Sequence, residues 1–255
     1  MRRRPPHRAP RPDAQAATEE GVWLHGLHPV AAALANPARR LRRLLVTRGA
    51  EAELAERVPA PWRIAPEFVE RERLDRVVGA DAVHQGAALL AEPLPAPALE
   101  AVLEGTTGPV LVLDQVTDPR NVGAILRSAA AFGAAAVLMQ ERHAPPETGA
   151  LARAASGALE VVPVLREVNL ARAIEALKKA GLWVVGLEAA GPVTLAQSGL
   201  TGRRVALVLG AEGEGMRRLT REGCDELVRL PIRPAMESLN VSNAAAVALY
   251  ELGRE

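Results

Sequence analysis

The sequence predicts an α/β protein built from two domains. Short apolar runs with the length of buried strands alternate with amphipathic segments of helical period, on both sides of a proline-rich segment at residues 92–97. The chain has 255 residues, of which 49% are hydrophobic, so it can bury two cores of ordinary size. Several apolar runs end in glycine or polar loops, which is typical of strands that deliver ligand-binding loops.

Composition narrows the class of protein. No apolar run approaches the ~18 residues that span a bilayer, and no apolar stretch follows the N-terminal arginines, so we expect a soluble cytoplasmic protein with no membrane partner. The single cysteine, Cys224, cannot form an internal disulfide, which suits a reducing compartment. We expect its thiol to pack rather than to act as a nucleophile.

The basic residues are almost all arginines. Apart from Lys178 and Lys179, every basic residue is an arginine, and the formal net charge is +1. Arginine binds phosphate with two donors, so this composition permits RNA binding. Only 2% of the residues are aromatic, which argues against base stacking on an aromatic platform.

We predict four segments along the chain. Residues 1–20 are rich in arginine and proline and should form a disordered basic arm, which either adds affinity for phosphate or is simply solvated. Residues 21–92 should form a small αβ domain, and residues 93–107 a linker around a short helix. Residues 108–255 should form a second α/β domain.

The small domain should have three layers. We predict helices over residues 29–36, 51–57 and 66–74, and strands over residues 44–46, 62–64 and 86–91. Its histidines, His25, His28 and His84, lack the carboxylate or cysteine company of a metal site. We therefore expect them to pack or to contact RNA, and we expect no metal.

The second domain should be a βαβ array. We predict strands over residues 110–113, 135–139, 161–164, 182–187, 205–209 and 226–230, and helices over residues 121–132, 169–180 and 240–252. The last helix carries a face of small residues that suits close packing, either within the chain or against a second subunit.

Two loops of this domain form a predicted pocket. The first, at residues 210–215, contains Gly210, Gly213 and Gly215, and the second follows the strand at residues 226–230. Because ligands bind beyond the carboxyl ends of parallel strands, these loops should line a small-molecule site. On its own the glycine loop names no ligand, since it lacks the Lys-Ser/Thr ending of a phosphate loop and the dinucleotide spacing. A plain glycine turn explains it equally well.

Two arginines mark the helix predicted over residues 121–132. Arg120 and Arg127 fall on one side of it, away from the apolar stripe. A phosphate group could bind there.

Three ordered motifs carry a family resemblance. The segments Asp118-Pro-Arg-Asn-Val-Gly-Ala-Ile-Leu-Arg127, Leu209-Gly-Ala-Glu-Gly-Glu-Gly-Met216, and Leu230-Pro-Ile with Ser238-Leu-Asn-Val-Ser242 resemble the motifs of SpoU-type RNA ribose 2′-O-methyltransferases of the SPOUT superfamily. In the first domain, Val83-His-Gln-Gly86 and His25-Gly-Leu-His-Pro29 resemble the subgroup that methylates a guanosine ribose in 23S ribosomal RNA. The resemblance covers residues 21–253.

The resemblance implies more than the residue patterns do. It implies an α/β SPOUT domain with a deep trefoil knot, preceded by a small αβ, L30e-like, RNA-binding domain. It further implies S-adenosylmethionine as cofactor, RNA as substrate, and a homodimer with the active site at the subunit interface. Because the cofactor's sulfonium already makes its methyl group electrophilic, we expect no metal.

The resemblance also implies site residues by motif position. Arg127 corresponds to the catalytic arginine and Asn121 helps to hold it, while Glu212, Ser238 and Asn240 line the site. We expect Arg127 to hold phosphate and to stabilise charge, since a guanidinium rarely gives up its proton. The cofactor should lie against Gly210 and four apolar side chains: Leu187, Leu230, Ile232 and Leu239.

The target RNA is less constrained than the reaction. Residues 233–237 depart from the ribosomal subgroup and resemble the general family form. The alternatives are a transfer RNA ribose 2′-O-methyltransferase, or a non-catalytic RNA-binding or ribosome-assembly factor on the same fold. Retention of Arg127, Glu212 and Asn240 together argues against a non-catalytic factor.

Overall fold

The computed structural model of the protein describes residues 21–105, 107–233, 235–236 and 238–254. The predicted arm at residues 1–20 lies outside the described residues, as do Pro234 and Glu237 of the departing segment.

The small domain is a four-stranded sheet between helices. Its strands are β1 Val22–His25, β2 Leu41–Val46, β3 Pro66–Phe68 and β4 Ala87–Ala91, in the order β1-β4-β2-β3, and its helices are α1 Leu27–Ala35, α2 Arg48–Arg57 and α3 Arg71–Val78. Leu74 of α3 packs with Leu45 and Ala88 on one face of the sheet. Leu44 and Val46, which point the other way, pack with residues of α1 and α2. This confirms the predicted three layers.

Two predictions in the small domain are wrong. Residues 62–64 are not a strand, because Trp62 and Ile64 fold onto the core as partly buried side chains. Residues 66–74 are not one helix, because residues 66–68 form edge strand β3, where Pro66 is tolerated opposite Leu44. Helix α3 begins only at Arg71.

The second domain is built on a parallel sheet. In the described residues its strands are β5 Val110–Leu113, β6 Ala136–Gln140, β7 Val164–Glu167, β8 Trp183–Leu187, β9 Val193–Thr194, β10 Val205–Leu209 and β11 Glu226–Arg229, in the order β7-β6-β5-β10-β8-β11-β9. The helices are α4 Leu99–Gly105, α5 Pro119–Ala131, α6 Gly149–Ala155, α7 Leu170–Lys179, α8 Arg218–Glu222 and α9 Val241–Leu252. All neighbouring strands pair in parallel.

Strand β10 lies near the middle of this sheet and is buried on both faces. Leu207 and Leu209 belong to the core cluster that holds α5, α6 and α9, while Ala206 and Val208 belong to the cluster that holds α4 and α7. This confirms the buried strand predicted over residues 205–209. Helix α9 packs its small-residue face on α5 within the chain.

Strands β1 and β9 and the short helix α8 were not predicted either, and further differences lie between β6 and α7. The strand predicted at residues 161–164 starts only at Val164, because residues 158–160 form a short 3-10 helix. Helix α6 was not predicted, since its sequence is alanine-rich and carries little apolar periodicity. It packs on α5, where Gly123 leaves room for the backbone of Leu151. The trefoil knot stays a prediction.

The two domains share a packed boundary. Helix α6 contacts β1 and α1 of the small domain, and one core cluster contains residues of both domains. Among the described residues, no helix combines the length and the apolar character needed to cross a membrane.

Candidate active site

A pocket opens beyond the carboxyl ends of β8, β10 and β11. Its volume is about 430 Å³. The loops that follow these strands supply most of its wall, and α9 closes one side. Glu212 and Ser238 line it. All five residues predicted for cofactor binding line it as well, namely Leu187, Gly210, Leu230, Ile232 and Leu239. The predicted pocket at this edge of the sheet is therefore present.

The glycine loop folds back on itself. Ala211 and Gly215 exchange backbone hydrogen bonds of 3.1 and 3.0 Å. A Cβ atom on Gly210 would lie 2.1 Å from the carbonyl carbon of Gly215 and 2.3 Å from the nitrogen of Met216. Glycine is thus required at position 210 by closure of the loop itself, whatever ligand the pocket takes.

The three sequence motifs meet in one hydrogen-bonded cluster. Asn121 Nδ2 donates to Glu212 Oε1 over 3.1 Å, and Asn240 Nδ2 donates to the same oxygen over 2.7 Å. Asn240 Nδ2 also lies 3.0 Å from Asn121 Oδ1. The start of α5, the glycine loop and the start of α9 are joined by this cluster, although the residues lie far apart in sequence.

Helix capping explains why Asn240 points its amide at Glu212. Its Oδ1 accepts from the backbone nitrogen of Ser242 over 2.9 Å and from the Ser242 hydroxyl over 2.6 Å, which caps α9. Because the oxygen is used by the helix, the NH₂ group is left to donate to the carboxylate.

Arg127 makes no hydrogen bond to this cluster. Its side chain is exposed on α5, and it makes no hydrogen bond or ion pair with another residue in the part of the chain that the structure describes. Asn121 bonds to Glu212 and Asn240 rather than to Arg127. Ser238, Glu212 and Asn240 are exposed as well, so one chain leaves this end of the site open to solvent.

Asp114 supports the site and was missed in the sequence. It follows β5 directly, is fully buried, and accepts from Arg217 through the backbone nitrogen at 2.9 Å and Nε at 2.7 Å. Its own backbone nitrogen donates to Leu209 over 2.8 Å. It therefore anchors the segment just after the glycine loop. The sequence feature that could have identified Asp114 is a carboxylate at the end of a buried strand.

The cysteine and one histidine serve the structure. Burial raises the pKa of Cys224 to about 11, so its thiol stays protonated at neutral pH and packs against the core, as predicted. His84 is fully buried, which confirms that it packs, and its Nε2 lies 3.0 Å from Asp75 Oδ1. The backbone nitrogen of Gly86 donates to His84 Nδ1, so the ring orders the loop before β4.

Comparison with known proteins identifies the class. Residues 108–250 match the model of the SpoU rRNA Methylase family, and residues 23–97 match the model described as RNA 2′-O ribose methyltransferase substrate binding. The first match covers more than half of the chain. The chain therefore belongs to the SpoU rRNA methylase family.

Individual relatives agree along nearly the whole length. The chain is 40% identical to the 23S rRNA (guanosine-2′-O-)-methyltransferase RlmB of Pseudomonas syringae pv. tomato, over 91% of this chain and 95% of the relative. The SpoU methyltransferase AviRb from Streptomyces viridochromogenes, solved in complex with AdoMet, superposes with a TM-score of 0.75 at 25% identity, covering 91% of this chain and 88% of that one. A solved RNA 2′-O ribose methyltransferase gives 0.73 at 27% identity, covering 90% and 86%.

Proposed function

We propose that the protein transfers the methyl group of S-adenosylmethionine to the ribose 2′-hydroxyl of a guanosine in 23S ribosomal RNA. The observation that carries this proposal is the cluster of Asn121, Glu212 and Asn240, which joins the three family motifs beside a pocket of cofactor size. Family membership and the relative named for this reaction give it its substrate.

The pocket fits the cofactor by its chemistry. Leu187, Leu230, Ile232 and Leu239 offer apolar walls to an adenine ring, and the glycine loop offers backbone groups without side chains in the way. Its volume of about 430 Å³ lies in the range of small-molecule sites. When bound, S-adenosylmethionine supplies an electrophilic methyl group on a sulfonium.

The chain's own residues must place and activate the ribose. As the new O–C bond forms and the C–S bond breaks, the 2′-hydroxyl loses its proton. We assign Arg127 to the neighbouring phosphate and to the charge that develops, because a guanidinium can bind a phosphate with two donors and this one has no partner among the described residues. We assign Asn121 and Asn240 to holding the Glu212 carboxylate, and Ser238 to the wall beside it.

A homodimer forms part of this proposal. Phe132 of the α5 end and Tyr250 of α9 form an edge-to-face pair with ring centroids 6.2 Å apart, yet Tyr250 is 59% exposed and Val247 is 47% exposed. An apolar surface of this kind favours burial against a second copy. The same helices carry Arg127 and Asn240, so a partner would cover the open end of the site. We expect Val247→Glu to shift sedimentation from dimer to monomer, and a monomeric wild type would contradict the proposal.

We further propose a division of labour at residues 93–107. Residues 21–92 hold the RNA and residues 108–255 carry the chemistry, which the two separate family matches support. Since ribosomal RNA is the substrate, we place the protein in the cytoplasm.

Mapping of the modified nucleotide tests the reaction. The protein is incubated with labelled S-adenosylmethionine and undermodified 23S RNA, and ribose methylation is mapped. Label confined to a base, or label on transfer RNA alone, would overturn the ribosomal ribose assignment. A non-catalytic factor would instead bind RNA without binding S-adenosylhomocysteine, which calorimetry measures directly.

Substitution of Arg127 tests the assignment of roles. Arg127→Ala should lower turnover by ~10²-fold or more while leaving the affinity for S-adenosylhomocysteine unchanged, because one preorganised charge is lost outside the pocket. Arg127→Lys should also fail, since a point charge cannot make a two-pronged phosphate contact. The matched control is Arg172→Ala, an exposed arginine on α7 across the sheet. Near-normal turnover of Arg127→Ala would contradict the role.

A further inference from the structure

A second, larger cavity lies between the two domains. Its volume is about 710 Å³, against about 430 Å³ for the pocket described above. The small domain contributes Trp23, His25 and Val83 to its wall, and the second domain contributes Arg120, Thr148 and Arg153. Neither the proposed methyl transfer nor the cofactor uses this space.

Arg120 ties this cavity to the active site. It directly precedes Asn121, which belongs to the cluster with Glu212. Its backbone nitrogen donates to the N-cap carboxylate of Asp118, whereas its exposed side chain makes no hydrogen bond or ion pair with any residue that the structure describes. A cation without an internal partner therefore stands one residue from the proposed catalytic groups.

The rest of the wall offers groups that suit a nucleotide. Trp23, an aromatic residue, is half-buried on the cluster of Leu45, Leu74 and Ala88 and lines the cavity. His25 is only 7% exposed, and its Nδ1 atom is buried without a hydrogen-bond partner among the described residues. Burial, and then the nearby charge of Arg153, lower the pKa of His25, so the ring is neutral near pH 7.

The wall also carries two acidic groups. Glu147 lines the cavity, and its carboxylate is 2.7 Å from the guanidinium of Arg39, which also pairs with Glu160. Asp81 is the other carboxylate on the wall, against Arg120 and Arg153. Among the described lining residues the two carboxylates balance the two guanidinium groups, so attraction for a phosphate depends on the unpartnered Arg120 and not on a net positive wall.

The cavity is preformed by close contact of the domains. Arg153 Nη1 donates to the carbonyl oxygen of Val83 over 2.5 Å and to Gln85 Oε1 over 3.2 Å. Gly149 of α6 approaches so closely that a Cβ atom there would lie 2.6 Å from the His25 ring and 2.6 Å from the carbonyl oxygen of Trp23. A ligand therefore meets walls that are already in place.

We propose that this cavity binds the RNA nucleotide that neighbours the methylated one, with its base on Trp23 and its phosphate on Arg120. An anionic phosphate and an aromatic base match the unpaired guanidinium and the indole surface, and single-stranded RNA is recognised by such stacking and charge contacts. The inference rests on the proposed function, since it names a substrate subsite of the same enzyme. It makes the small domain a direct part of the substrate site.

Salt-dependent RNA binding separates the two contacts. With an in vitro transcript of 23S RNA, Arg120→Ala should flatten the slope of log K against log salt concentration by about 0.7, the value for one phosphate contact to a single strand. Trp23→Leu should weaken binding roughly tenfold or more without changing that slope, and Trp23→Phe should restore most of the affinity because stacking is retained. Arg172→Ala should change neither quantity. All variants should bind S-adenosylhomocysteine as the wild type does, which shows that the fold is intact.

Two results would contradict the proposed nucleotide site. An unchanged salt slope in Arg120→Ala, or equal loss of affinity in Trp23→Leu and Trp23→Phe with cofactor binding intact, overturns the proposal. If the wild type binds the transcript without methylating it, the proposed function is overturned, while the effects of the variants on binding still decide the role of the cavity.

Discussion

Replacement of Arg39 by methionine should destabilise the protein severely. Its guanidinium is buried between the domains, where Nη2 lies 2.5 Å from Glu160 Oε1 and Nη1 lies 2.7 Å from Glu147 Oε1 and 2.8 Å from the carbonyl oxygen of Glu92. Burial by itself would lower the pKa of Arg39, but the hydrogen bonds and charges of Glu160 and Glu147 outweigh it and raise this pKa. The charges of this buried cluster therefore compensate one another, and removing Arg39 leaves its carboxylate partners uncompensated.

The expected loss of stability follows from the buried Glu160 carboxylate, which loses its partner in Arg39→Met. The Glu160 side chain is only 4% exposed, and in Arg39→Met it would keep a single amide donor, Asn36 Nδ2 at 2.7 Å. Removing one partner of a buried pair costs about 3–5 kcal/mol. Arg39→Met/Glu160→Gln also removes the more deeply buried of the two carboxylate charges that lose their partner, so we expect the double variant to be more stable than Arg39→Met alone.

Urea unfolding measures these differences. The control is Arg218→Ala, which breaks the exposed pair with Glu222 one helical turn away and should cost less than about 1 kcal/mol. The m-value should be unchanged if both domains still unfold together. A loss below about 1 kcal/mol for Arg39→Met, or a double variant less stable than the single one, would refute the reasoning.

Three further predictions concern the loop, the histidine and the cysteine. Gly210→Ala should weaken S-adenosylhomocysteine binding at least tenfold, because its Cβ would clash with the opposite backbone of the loop. Gly49→Ala, whose Cβ would meet nothing within 4 Å, should leave the affinity unchanged. Equal affinities of the two variants in calorimetry would contradict the prediction. Burial lowers the pKa of His25 from 6.5, so below that pH the unfolded chain binds more protons than the folded one and stability should fall as the pH drops. In urea titrations, His25→Asn should reduce the slope of this fall by at most about 1.4 kcal/mol per pH unit. An unchanged slope would contradict the prediction. With a pKa of about 11, Cys224 should react with iodoacetamide at pH 8 far more slowly in the native protein than in urea, and native labelling at the free-thiol rate would speak against its burial.

The elements that could be predicted are those whose local sequence indicates burial or a helix end. Val205–Leu209 and Val110–Leu113 are buried strands because uninterrupted apolar runs must be covered on both faces. Helix α7 begins after Asn169, whose side chain accepts from Arg172 N, as a capping residue should. The three motifs located the groups that meet at Glu212, and the glycine loop located the pocket.

Elements with weak local patterns could not be predicted. Residues 66–68 are a strand only because β2 offers them an open edge, and α6 is a helix that owes its position to packing on α5 and the small domain. The contacts of Asn121 with Glu212 and Asn240 could not be predicted either, because its partners lie 91 and 119 positions away in the sequence.

By itself, the sequence determined the α/β class, most of the strands and helices, and the motifs whose residues meet at Glu212, because periodicity, caps and motifs are local properties of the chain. Only the tertiary structure decided what lies between the domains. Arg39 and Glu160 are separated by 121 positions and Asp114 and Arg217 by 103, and nothing near any of them in sequence announces its partner. The cavity behind Arg120 exists for the same reason: a buried ion pair or a shared wall forms only where two folded surfaces meet, and that meeting depends on the whole arrangement of the core rather than on any local pattern.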